Sequence, residues 1–169
     1  EAGKFAGKSI AVTLSMADEK QAEQTALLFK KGGASTTVTG ASLQITGDSG
    51  KILENALTDT DNMYNNDGKE VSLKYGYNER QVLFNWWEAF KEMDKELKKQ
   101  KKFKEAKVVA LAVKKAIEPS YNYYQIEPQK ISDRFGIVIF SLVFYVIYTL
   151  WYGFAIMYMF EGWGLRLEH

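Results

Sequence analysis

The sequence contains no cysteine, and its single histidine is the last residue, His169. Within these 169 residues that excludes disulfides, thiolate metal sites, cysteine-held clusters and every Ser-His-Asp or Cys-His nucleophile. It says nothing of redox compartment, because a cysteine-free chain suits either. Arginine is nearly missing too, with only Arg80, Arg134 and Arg166. The side chain that reads guanine edges bidentately is therefore scarce, and no nucleic-acid partner is expected. Neither sign of charge prevails: 22 Lys and Arg stand against 21 Asp and Glu, a net charge of +1. Nothing in that balance selects a polyanion or an acidic substrate. No internal repeat is visible. With 46% hydrophobic residues the chain is too apolar for general disorder, and its length suits one compact domain or one domain plus an appendage.

What is present is unevenly placed. Residues 135–160 run without a single charge, bounded by Asp133 and Arg134 on one side and Glu161 on the other. As a helix the run is ~39 Å long, enough to cross a hydrocarbon core of ~30 Å with some tilt. Ser141 and Thr149 can return their hydroxyls to the helix backbone, and Gly136 and Gly153 are tolerated in lipid. This segment reads as a single transmembrane helix. It carries more rings than an anchor needs, and Tyr145, Tyr148 and Tyr152 share one face. A phenol in lipid wants a partner, so that face is expected to pack on other membrane subunits.

The preceding residues read as a small α+β module (residues 1–77) and a long amphipathic, lysine-rich helix (residues 78–118). A linker (residues 119–134) leads to the membrane helix, and a tail (residues 161–169) follows it. Residues 8–14 alternate as a strand, with Ser15 able to cap a following helix that Gly32 and Gly33 stop. Residues 35–46 read as a strand or a hairpin turning near Gly40. Asp48 or Ser49 can cap a short helix, residues 58–68 read as a polar loop, and residues 70–75 as a strand. Asn78 with Gln81 has the spacing of a capping box. Val82, Trp86, Phe90, Met93 and Leu97 then form one apolar stripe, and Phe103, Ala106, Ala110, Val113 and Ile117 a second. Residues 98–102 (KKQKK) interrupt them, so a break is expected there, and Pro119 is expected to end the run.

Candidates for chemistry are few. Asp59, Asp61, Asp67 and Glu70 fall at calcium-loop positions, but Met63 and Tyr64 occupy places where such a loop needs an oxygen ligand and a glycine. Residues 39–42 (TGAS) resemble the motif on which certain membrane flavoproteins carry a phosphoester-linked flavin, though the threonine expected to follow is missing. Residues 47–50 (GDSG) could hold a phosphate on backbone amides. No carboxylate pair suggests acid–base work. No enzyme, metal or cofactor is expected.

Residues 91–115 hold ten lysines and four acids. That face can be simply solvated, lie on anionic lipid with Trp86, Trp87 and Phe90 at the interface, or meet an acidic subunit. Lys130 and Arg134 precede the span and Arg166 follows it, so the positive-inside rule places the N-terminal module inside. The Glu1 start suggests a removed leader, which would fit an organelle transit peptide or, against the charge rule, an exported domain. The terminal Leu167-Glu168-His169 resembles a cloning scar. The layout resembles accessory subunits of organellar respiratory or photosynthetic complexes, in an inner or thylakoid membrane. The alternatives are an exported, membrane-anchored binding or sensor module, as in a bacterial inner membrane, and a membrane flavoprotein subunit.

Overall fold

A computed structural model describes residues 7–126 and 131–164. The chain divides into two compact units, Glu1–Ile126 and Glu127–His169. In the first, β1 (Ser9–Ser15), β2 (Ser35–Thr39) and β3 (Ser42–Asp48) form a sheet in the order β1-β3-β2, with β3 antiparallel to both neighbours. Alternation decides which face is dry. Ile10, Val12 and Leu14 of β1 and Leu43 and Ile45 of β3 are buried, while Ala11, Thr13, Gln44 and Thr46 remain in water. The β2–β3 hairpin turns at Gly40, whose φ of +57° is left-handed backbone that glycine adopts without strain.

Helix α1 (Glu19–Lys31) connects β1 to β2. Its cap is Asp18 rather than Ser15. The Asp18 carboxylate accepts from the Gln21 amide at 2.7 Å while Gln21 Oε1 accepts from the Ala17 amide at 2.9 Å, a reciprocal box that Ser15, held in β1, cannot build. Helix α2 (Ser49–Tyr64) is capped by Asp48 and is longer than the sequence pattern suggested. The expected polar loop is its second half, because Ala56, Asp59, Thr60 and Met63 share the buried face. The expected strand at residues 70–75 is instead helix α3 (Gly68–Tyr75). Val71 and Tyr75, four apart, are buried, and Leu73 between them is 84% exposed, which is helical and not strand periodicity.

Helix α4 (Glu79–Lys99) starts at Asn78, whose side chain accepts from the amides of Arg80 and Gln81. All five residues of the first stripe are buried. The helix is therefore the centre of the core rather than a segment appended to it. Trp86 packs edge-on against Phe29 and Phe90, with ring centroids 5.2 Å apart in both pairs. The expected break lies between α4 and α5 (Phe103–Ala112), where Lys101 takes a φ of +60°. The second stripe is shifted: Ala106, Val109, Val113 and Ile117 are buried, whereas Phe103 and Ala110 are exposed. A π-helical turn, Val113–Ile117, follows α5.

Pro119 does not end the run. Helical backbone continues without a break from α5 through Val113–Ile117 into α6 (Glu118–Tyr123), which contains Pro119, so part of the expected linker is helix. The end of the unit is tied back onto its body. The Tyr124 hydroxyl donates to Glu79 at 2.9 Å, and the Gln125 amide to Asn66 at 2.7 Å. Gly68 is required there, because a Cβ would collide with the Tyr124 hydroxyl.

The second unit contains a 3₁₀ turn (Ile131–Arg134) and helix α7 (Phe135–Gly162). Among the described residues α7 is the one helix long and apolar enough to cross a membrane, and none of its residues is buried within the chain.

Candidate functional site

The sites suggested by sequence scatter in the fold. Asp59 and Asp61 lie on α2, Asp67 directly precedes α3 without a capping side-chain bond and Glu70 is in the first turn of α3, so the twelve-residue loop of a calcium site is not formed. Among the described residues no group of three or more His, Asp or Glu side chains is placed to hold a metal ion. The GDSG segment joins the end of β3 to the start of α2, and the amides of Ser49, Gly50 and Lys51 there already have acceptors. Asp48 accepts from Gly7, Gly50 and Lys51, and the Gly7 bond above all holds its carboxyl below the usual carboxylate range. The TGAS residues are the hairpin: Thr39 ends β2, Ser42 opens β3, and the Ala41 carbonyl accepts from Met16 at 2.8 Å.

Asp59 does the opposite of binding calcium. It is completely buried, and every bond found for it is internal. Its Oδ1 accepts from Lys74 Nζ at 2.6 Å, and its Oδ2 from the Tyr75 hydroxyl at 2.5 Å and the Trp86 indole at 2.9 Å. Asn55 bridges Lys74, Tyr75 and the Leu28 carbonyl. Carboxylate, ammonium and phenol thus stand together, as in many catalytic sites, but the carboxylate has no surface on which to meet a substrate. Its role is to join α2, α3 and α4. Sequence could not reveal this, because the three partners are 15, 16 and 27 residues away.

A second polar group continues the seam. Asn85, fully buried on α4, accepts from Gln21 and Gln81 and donates to Gln24 and the Tyr77 hydroxyl. Burial, helped by the Asp59 charge, pushes the Tyr77 phenol up to about 12, while the Asn85 bond acts against the rise. The Tyr75 phenol is pushed further up, again by burial first and Asp59 second. Both phenols keep their protons in the folded state beyond the ordinary value of 10.0. The unfolded chain loses them first, so this contribution to stability is complete below pH 10 and lost as pH rises toward 12. The melting temperature of the full chain in a mild detergent should therefore fall across that window. Tyr77→Phe should flatten the fall, and an unchanged slope in that variant would contradict the assignment.

No family model matches this sequence, and no curated protein or solved structure matches it either. Function has to be read from the surfaces.

Two surfaces stand out. On α7, Tyr145, Tyr148 and Tyr152 are 66%, 58% and 57% exposed, and the Tyr148 and Tyr152 rings stack with centroids 6.3 Å apart. Thr149 has no need of a partner, since its hydroxyl returns to the Tyr145 carbonyl at 2.8 Å. The lysine-rich turn is the other surface. Lys95, Lys98 and Lys99 pair with acids on their own helix, and Lys8 reaches Glu105 on α5. Trp86 and Phe90, earlier on α4, are fully buried, so they cannot form the interfacial wedge of a membrane-surface helix. The turn also lies at the C-terminal end of α4, whereas the chain leaves the unit beside Arg80 at the N-terminal end. A 21-residue helix places those two ends ~30 Å apart.

Proposed function

We propose that the chain is a non-catalytic, single-pass accessory subunit of a multi-subunit membrane complex, of the energy-transducing kind found in respiratory or photosynthetic membranes. The observation that carries this is the phenol face of α7. Three hydroxyls in line on a span without charge from residue 135 to residue 160 need acceptors that lipid tails do not offer, and neighbouring transmembrane helices supply them. The domain supports the same reading, since its buried Asp59 is consumed in joining helices and is not offered to a substrate. The lysine-rich helix, with Trp86 and Phe90 buried and not available to a bilayer, suits an acidic neighbouring subunit better than a lipid surface.

Native electrophoresis after extraction in a mild detergent tests the proposal. The chain should migrate in a species far larger than its own 19.3 kDa. Replacing Tyr145, Tyr148 and Tyr152 together by Phe keeps the rings and removes the hydroxyls. At about 0.6 kcal/mol for each interhelical hydrogen bond, the loss is roughly 2 kcal/mol, or some twentyfold in affinity. Migration of the unaltered chain as a free monomer would refute the proposal and favour an anchored binding module.

A further inference from the structure

Helices α4 and α6 border a half-open pocket of about 310 Å³ lined by Phe84, Trp87, Glu118, Tyr121 and Asn122. We propose that this cavity binds a methylated ammonium group of the choline type. Three aromatic side chains surround it, and two of them are unusually exposed for their size, Phe84 at 36% and Tyr121 at 42%. The Phe84 and Trp87 rings are tilted by 32° with centroids 6.0 Å apart, so they form an open angle and not a closed stack. Trp87 is fixed in place because its indole N–H donates to Glu118 Oε1 at 3.0 Å, which also sets a carboxylate against the rings.

The chemistry favours one class of ligand. Aromatic faces are electronegative and attract cations most strongly when the cation is weakly hydrated. A quaternary ammonium has no N–H to satisfy, so a wall of rings with one carboxylate is sufficient for it. A metal ion would demand several oxygen ligands, and the lining offers only Glu118 and Asn122. The Trp87 ring already attracts one cation at the surface, the half-exposed Lys91 ammonium 3.7 Å from its centroid, and Lys91 is not among the residues lining the pocket. Its volume lies at the small end of ligand sites, which suits a headgroup and not a larger cofactor.

Calorimetric titration of the full chain in a sugar-headgroup detergent decides the matter, with choline as probe and its neutral carbon isostere, 3,3-dimethylbutan-1-ol, as control. Choline should bind saturably and at least about tenfold more tightly than the isostere. Glu118→Gln keeps an acceptor for the indole but removes the charge, and Trp87→Ala removes the platform. Each should weaken choline about tenfold without changing the far-ultraviolet circular dichroism, whereas Lys98→Gln, outside the lining, should bind as the parent does. Equal binding of choline and isostere, no binding of choline, or parental affinity in both Glu118→Gln and Trp87→Ala would overturn the proposal. Repeating the titration in vesicles separates the two sources of the group. Choline binding that survives in phosphatidylglycerol and disappears in phosphatidylcholine identifies a lipid headgroup as occupant, and binding that survives in both identifies a free solute.

Discussion

Trp86→Ala should lower the unfolding free energy of the N-terminal unit by about 3–5 kcal/mol, the usual cost of truncating a buried indole. Three losses coincide at this position. The side chain has no exposed surface, so its removal leaves a void that well-packed neighbours fill only partly. Its edge contacts with Phe29 and Phe90 are lost, which detaches α4 from α1 and from its own next turn. Its indole also ceases to donate to Asp59. A unit of this size should then melt more than about 10 °C lower. Lys98→Gln is the comparison, since Lys98 makes one exposed pair with Asp94 and its loss should shift stability by about 0.5 kcal/mol or less. Equal small effects from both substitutions would show that the α4 stripe is not the centre of the core.

That stripe was legible in the sequence because its signal is local. Spacings of four, four, three and four bring Val82, Trp86, Phe90, Met93 and Leu97 to one face whatever the rest of the chain does. The hairpin at Gly40 and the apolar run of α7 are legible for the same reason: a turn residue between β-formers, and length without charge. Local signals failed where two periods fit the same residues. Val71, Leu73 and Tyr75 alternate as a strand would, yet Val71 and Tyr75 alone also satisfy a helical turn. The choice was made by Tyr75 reaching Asp59 and by Gly76 ending the helix in left-handed backbone. The polar residues of α2 were misread because Asp59 and Thr60 look like solvent-facing side chains until their partners are known. Thr60 returns its hydroxyl to the Ala56 carbonyl, and Asp59 draws on two other helices. The aromatic cavity escaped for a related reason. Phe84 and Trp87 flank the stripe with no local partner to mark them, and only the continuation of helix past Pro119 brings Glu118 and Tyr121 to them.

Asp59→Ala should rank beside Trp86→Ala in cost, by a different route. The carboxylate is the common acceptor of one charged and two neutral donors from α3 and α4. Without it Lys74 can turn to water, because its side chain is already 30% exposed. Tyr75 and Trp86 have no such escape and leave two buried donors with a partner lost. At about 1–3 kcal/mol for each, the expected loss is roughly 3–5 kcal/mol, in line with breaking a buried charge network from one side. Asp59→Asn keeps one oxygen acceptor but turns an amide toward donors, so its cost should be smaller and of the same sign. Tyr75→Phe removes one donor and leaves the carboxylate with two others, so about 1–2 kcal/mol is expected. The double change Asp59→Leu with Lys74→Met tests whether the network is needed for stability at all. Replacing the charges with apolar volume removes their desolvation cost, and it should recover part of what Asp59→Ala loses. Denaturant midpoints for the four variants should fall in the order Tyr75→Phe, Asp59→Asn, Asp59→Ala, with the double variant above Asp59→Ala. If Asp59→Ala unfolds within about 1 kcal/mol of the parent, the carboxylate does not join the three helices, and its burial would have to serve a task other than holding the fold.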